Sequence, residues 1–332
     1  MKRLFLKTLA ACVAVAAFGM AHAQTKTIKF ANQNAKGHPV VLGMDGFAEI
    51  VEAKSGGKLK VTVYPGGALG SDQANVSALQ GGTLEMASMN SGIFASLVKD
   101  FEVYDFPFLF ANYKEADAVV DGPFGQMMHK KLEEKGLVGL GYYELGFRHL
   151  TNSKRPITKV EDIAGLKLRV IPNPINVDWV SALGANPTPL PFPEVYAALE
   201  QHAIDGQENP VATIIGAKLN EVQKYMTLTY HQYNPQSIVV SKKFWDTLTP
   251  AEHKILQDAA HESIAFERAQ SRAALASGLE GLKKGGMQIS ELAPAEVAKL
   301  RDKMKPVIAK HSATAGEATV KAMMAELDKA RK

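Results

Sequence analysis

Along the first ninety residues the spacing of apolar positions changes period several times. Residues 27–30 alternate as a strand, and the polar run Ala31-Asn32-Gln33-Asn34 stands at its C-terminal end. Val41, Met44, Phe47, Ile50 and Val51 then recur at helical spacing across 38–55, and Gly56-Gly57 ends that helix. Residues 58–64 alternate again up to Pro65-Gly66-Gly67, 72–80 reads as a second helix closed by Gly81-Gly82, and 84–89 as a third strand. This β-α-β-α-β order predicts a parallel sheet with helices on both faces. Ligands of such sheets bind beyond the C-terminal ends of the strands, where Asn32, Gln33, Asn34, Asn90 and Ser91 collect.

A second α/β half is predicted from 137–140 and 147–150, through a strand over 166–171 and helices over 177–183 and 194–201, to a buried strand over 236–240. The last third is helical. From Pro250, with Thr249 as its N-cap, the chain carries Ile255, Ala259, Ile264, Ala269 and Leu275 to about 284 without an internal proline. At ~1.5 Å per residue that helix is on the order of 50 Å long, more than one small domain needs, so it is expected to strap two lobes together. Helices over 295–310 and 315–329 are expected on the outside.

The N-terminus changes the meaning of the composition. Met1-Lys2-Arg3, Lys7, an apolar stretch over 9–18 and Ala21-His22-Ala23 describe a secretory signal peptide over 1–23. The apolar stretch is too short for a membrane span. Cys12, the one cysteine, lies within it, so the mature chain has no disulfide framework. Removing Lys2, Arg3 and Lys7 lowers the formal charge from +4 to +1, which leaves no footprint for nucleic acid. Neither a Walker loop, a Gly-x-Ser-x-Gly elbow, a His-Glu-x-x-His pair nor a cysteine cluster is present, so no cofactor or metal is expected. Gly139-Leu140-Gly141 lacks the third glycine of a dinucleotide turn and reads as strand packed closely on a neighbour.

The positive signal is a cation inside an apolar strand, Arg169 in Gly165-Leu166-Lys167-Leu168-Arg169-Val170. A buried guanidinium needs an anion, either a ligand carboxylate or an internal partner such as Glu208 or Glu144. Arg148, taken alone, reads as a surface arginine at a strand start. Asn209, held extended by Pro210, can donate to a ligand oxygen; Phe192, between two prolines, is pocket wall or core. Trp179 reads as core or lining, and Asp72 as a helix N-terminal residue and secondarily a pocket group. With Tyr233, the aromatic residues leave room for a ring or a short aliphatic body.

Several blocks in order resemble the solute-binding subunits of tripartite ATP-independent periplasmic (TRAP) transporters, the DctP family. They are residues 63–70 (VYPGGALG), 104–110 (YDFPFLF), 165–170 (GLKLRV), 192–200 (FPEVYAALE) and 205–210 (DGQENP). The resemblance implies a two-lobe, type II-like periplasmic binding fold with the ligand in the cleft. It divides the chain into lobe I (24–146 plus about 235–270) and lobe II (147–234 plus about 271–332), bridged by the long helix over about 250–284. It implies that Arg169 clamps a ligand carboxylate, that Arg148 is a second cationic contact, and that Asn209 and Phe192 are the cleft amide and aromatic wall. Asn173 lies near a further polar contact, with one residue more in the 169–173 loop than in sialic-acid binders. Asn90, Gln33, Asn34, Asp72, Trp179 and Tyr233 complete the expected site. The partners implied are a small carboxylate ligand and the small and large integral membrane subunits, with no ATPase subunit, the mature protein being a periplasmic monomer. A lyase-type periplasmic enzyme using Glu144 or Glu208 as base, and a ligand-sensing subunit, are the competing readings.

Overall fold

The computed structural model describes residues 25–332; the predicted leader lies outside them. Nine strands among the described residues form one sheet: β1 (Lys26–Ala31), β2 (Leu59–Tyr64), β3 (Met86–Asn90), β4 (Leu137–Asn152), β5 (Lys167–Val170), β6 (Asn186–Pro189), β7 (Gly206–Asn209), β8 (Tyr225–Ser241) and β9 (Gln288–Glu291). Their order is β2-β1-β3-β8-β4-β7-β5-β6, with β9 paired to β8. The helices are α1 (Pro39–Ser55), α2 (Asp72–Gly81), α3 (Tyr113–Val120), α4 (Pro123–Glu133), α5 (Pro174–Ala182), α6 (Val195–Glu200), α7 (Val211–Gly216), α8 (Lys242–Trp245), α9 (Pro250–Lys284), α10 (Pro294–Ala315) and α11 (Glu317–Ala330).

Local chemistry sets the predicted elements where the sequence places them. Ser71 caps α2 by accepting from the Ala74 N–H, and Gly82 ends it in the left-handed conformation. Thr249 and Glu252 form a reciprocal capping box at the start of α9, with Pro250 in the first turn. One end of α9 packs on α1, burying Leu256, Ala259 and Ala260 with Met44 and Phe47. Its other end packs on α7, where Leu282 joins Ile214 and Val195. The long helix therefore spans both lobes.

The sheet is mixed rather than parallel throughout. β1 pairs in parallel with β2 and β3, as predicted, but β8 enters antiparallel between β3 and β4. β4 and β8 are also much longer than expected, at 16 and 17 residues. The C-terminal part of β8 pairs with β3, from Asn90↔Gln236 to Met86↔Val240, and its N-terminal part with β9, from Tyr225↔Gln288 to Leu228↔Glu291. β4 runs beside β8 and reaches β7 only through residues 149–152. Both strands thus pass from one lobe into the other.

The β4–β8 ladder shifts register at Gly139/Gly141, Glu144/Gly146 and Arg148/Leu150. The first two shifts each absorb one extra residue of β4, the third three extra residues of β8, and such irregularities turn the strand locally. Gly146 has φ +106°, a conformation that side-chain-bearing residues rarely adopt. Gly139 lets the strand approach the His129 ring, where a Cβ would lie 2.2 Å from Cγ, in keeping with the close packing expected of this segment. At the C-terminus, α10 packs on α5 and on the turn at 99–105, while α11 packs on α3 and α4. No helix of the described residues is long and apolar enough to cross a membrane.

Candidate ligand-binding cleft

The strand ends of the two halves of the sheet converge on one cleft with about 410 Å³ of atom-free space, part of it open to solvent. Arg169 reaches it from β5, Arg148 from β4 and Asn209 from β7; Asn90 comes from the end of β3, Gln33 and Asn34 from the loop after β1, and Asp72 from the start of α2. Phe192 supplies an aromatic side, its ring 5.8 Å from the Arg169 guanidinium carbon.

The two arginines have different surroundings. Arg148 is 1 % exposed, and its Nε and Nη2 both donate to the Glu208 carboxylate, Nη2 at 2.8 Å, while Nη1 donates to Asn234 Oδ1 at 2.8 Å. It is not the surface arginine that the isolated sequence suggests: the register Leu150↔Glu208 brings the Glu208 carboxylate to Arg148. Burial pushes the Glu208 carboxyl up, but Arg148 and His231 outweigh it and hold the group at about 2. Arg169 is 2 % exposed, and among the described residues its side chain makes one hydrogen bond, from Nε to the Leu190 carbonyl at 2.8 Å. Neither Glu208 nor Glu144 pairs with it. Burial pulls Arg169 down to about 9, partly offset by the field of Glu208, so it stays charged at neutral pH.

Unpartnered polar atoms surround this cation. Among the described residues the buried Nδ2 atoms of Asn34 and Asn90 have no acceptor, and Asp72 Oδ1 has no donor. Gln33 Nε2 holds the other Asp72 oxygen at 2.8 Å, and Asn209 Nδ2 donates to Gln207 Oε1 at 2.6 Å. Buried donors without acceptors are costly and few in folded proteins. An oxygen-rich anion is the chemistry that would satisfy them together with Arg169.

Three predicted residues lie outside the cavity lining. Asn173, the residue before α5, is drawn away to Asp105 Oδ2 (2.8 Å) and the Gly92 carbonyl (3.2 Å). Trp179 donates to Asn176 Oδ1 at 3.1 Å and packs against His231. Tyr233 points to the opposite face of β8 from Gln236, which does line the cavity, and its hydroxyl meets Glu144 Oε2 at 3.2 Å. Thr213 and Gln236 are lining residues that the sequence reading missed, along with Gln73 and Leu145. Neutral polar side chains inside a short helix and a buried strand give no pattern to detect them by. Thr213 follows closely on the Asn209-Pro210 block, the one signal that could have pointed to it.

A two-lobed sheet with crossing strands, a bridging helix and a polar cleft at the strand ends is the arrangement of a solute-binding protein. The sequence profile of bacterial extracellular solute-binding protein, family 7 (DctP), matches residues 30–314, and the chain belongs to that family. It is 53 % identical to a TRAP periplasmic solute-binding protein of Ochrobactrum anthropi, with a TM-score of 0.83 over 93 % of this chain and 97 % of the other. It is 40 % identical to the sugar acid-binding protein DctPAm of Advenella mimigardefordensis, solved with galactonate, with a TM-score of 0.91 over 92 % and 99 % of the two chains. The C4-dicarboxylate-binding periplasmic protein DctP of Rhodobacter capsulatus is 33 % identical over 91 % of each chain. The protein is accordingly the solute-binding component of a TRAP-type transport system.

Proposed function

We propose that the protein captures a small organic acid in the periplasm through the Arg169 guanidinium and delivers it to the small and large integral membrane subunits of an ion-gradient-driven transporter. One observation carries this reading: a buried, charged guanidinium lies beside unpartnered amide donors, and no anion among the described residues pairs with it. In this reading the other lining residues, Arg148, Asn209, Phe192, Gln33, Asn34, Asn90 and Asp72, hold or shape the ligand, Arg148 mostly by fixing Glu208. Lobe I comprises 24–146 plus about 235–270 and lobe II 147–234 plus about 271–332; the bulge at Glu144/Gly146 near the first boundary supports that division. The leader is cleaved after Ala23, and the mature protein acts as a monomer without an ATPase subunit or nucleic acid.

The chemistry of the cleft favours binding over turnover. Glu208 is held ionised at about 2 by Arg148 and His231 and is too weak a base, while Glu144 is fully buried and bound by Arg272 at 2.7 Å. His38 Nε2 lies 3.1 Å from Thr213 Oγ1, but His38 Nδ1 accepts from the Val40 N–H. The ring proton therefore sits on Nε2 and points at the hydroxyl, the reverse of a nucleophile–base pair. The test is a thermal-shift screen of the refolded mature protein against monocarboxylates, dicarboxylates, sugar acids and amino acids. One class is expected to raise the melting temperature and to be recovered unchanged at one equivalent. A flat screen, or turnover of the bound acid, would overturn the reading.

A further inference from the structure

Thr213 lines the cleft, and the side chain that holds it comes from the opposite lobe. His38 stands immediately before α1, whereas Thr213 lies in α7, just after β7 and Asn209. Their 3.1 Å contact is, among the described residues, the only hydrogen bond between residues 26–90 and residues 186–217. The same two segments also touch at Gly67, where a Cβ would stand 3.1 Å from Pro193 Cγ. His38 and Thr213 are both buried, and α7 rests on the imidazole itself: a Cβ at Gly216 would stand 3.7 Å from His38 Cδ2. The geometry points to His38 as a positioning residue of the cleft: acting through Thr213, it turns that hydroxyl towards a bound acid and holds the two lobes together over it. The inference rests on the acid-binding reading above and deepens it.

Both ring nitrogens are committed. Nδ1 accepts from the Val40 N–H, the N-cap bond of α1, so the proton lies on Nε2 and Thr213 Oγ1 accepts it. The Thr213 hydroxyl keeps its own proton to donate, and among the described residues no acceptor takes it. A hydroxyl that accepts one hydrogen bond donates the next more strongly, and in the cleft a ligand oxygen is the acceptor. Towards the ring α7 presents Thr213 and Gly216 and α1 presents the Val40 N–H; among the described residues no acid or cation pairs with it. Burial pulls His38 down to about 3. Parting the lobes lifts α7 off the ring and returns it towards its ordinary range near 6.5. His38 therefore supports closure in its neutral form, fully above about pH 6.5, and the support is lost as pH falls below that value.

His38→Asn separates the two bonds, because asparagine is among the best N-caps yet is too short to reach Thr213. Isothermal titration of the mature wild type, His38→Asn and His38→Gln with lactate, succinate and galactonate at pH 7.5 and pH 5.5 tests the inference. For the acid bound most tightly, the wild type should bind about fivefold tighter than His38→Asn at pH 7.5, and that advantage should vanish at pH 5.5. Asp72, raised to about 7 by burial, titrates across the same range in both proteins, so the ratio of affinities is the quantity to read. His38→Gln keeps an N–H donor near the Nε2 position and has no proton to gain. It should match the wild type at pH 7.5 and bind more tightly than the wild type at pH 5.5. Stopped-flow release supplies a readout independent of the folded fraction: the loss in His38→Asn should lie in the dissociation rate. Equal affinities of wild type and His38→Asn at pH 7.5, or a ratio unchanged at pH 5.5, overturns the inference and leaves the acid-binding reading standing. Absence of binding by every acid overturns both.

Discussion

Arg148 and Arg169 are buried to the same degree and line the same cavity, yet one stands in a completed ion pair and the other does not. Around Arg148, β7 and β8 supply Glu208, Asn234 and His231, so the cation is satisfied by the fold itself. Around Arg169 the fold supplies a carbonyl and the face of a phenyl ring. A protein that tolerates a desolvated charge without its counter-ion has assigned that counter-ion to something outside the chain. Burial alone therefore does not distinguish a structural arginine from a binding one; its partner does.

The largest expected effect separates the two directly. Glu208→Ala strands Arg148 as an unpaired buried charge and should cost about 3–5 kcal/mol of folding stability, read from denaturant midpoints. Arg169→Ala should change the stability of the ligand-free protein by less than about 1 kcal/mol while abolishing most acid binding. Comparable destabilisation by both variants would collapse the comparison.

Acid titration sharpens it. The Glu208 carboxyl is depressed to about 2 in the folded protein, below its unfolded range near 4, so its contribution is complete above that range and is lost as pH falls from about 4 towards 2. Two units correspond to about 3 kcal/mol at most. Urea midpoints between pH 6 and pH 2.5 should show this loss, and Glu208→Gln should remove its pH dependence. The smallest effect belongs to the neutral lining: Thr213→Val removes one hydroxyl and should weaken acid binding by about 1 kcal/mol or less, measured by titration.

Much of this was legible in the chain because the signals were local. The caps and apolar spacing of α1, α2 and α9, and the alternation of β1 and β2, lie within short windows and placed those elements near their observed bounds. β4 was not legible as one strand, since Gly139, Gly141 and Gly146 interrupt its pattern and only the partner strand β8 holds it together. Arg169 stood out as a charge in an apolar strand. The identity of Arg148's partner depended on the register of β7 against β4, which no window of sequence contains. Trp179 and Tyr233 were drawn into the expected site by residue type, and Asn173 by its place in the family resemblance. Their side chains instead complete hydrogen bonds and ring packing behind it.

The insertion of β8 between β3 and β4 governs how the polypeptide can assemble. The first three strands of lobe I are all present by residue 90, but the neighbour that covers the outer edge of β3 arrives only with residues 236–240. Until then both β3 and β4 present unsatisfied backbone edges, the state most prone to wrong pairing between chains. Neither lobe is an autonomous folding unit, and fragments ending before β8 lack the template on which both halves are built. Assembly of such a long-range pairing is slow compared with local helix formation. The chain commits to its tertiary structure late, once nearly three quarters of it is available, and the strand that completes the first lobe is also the one that fixes the second to it.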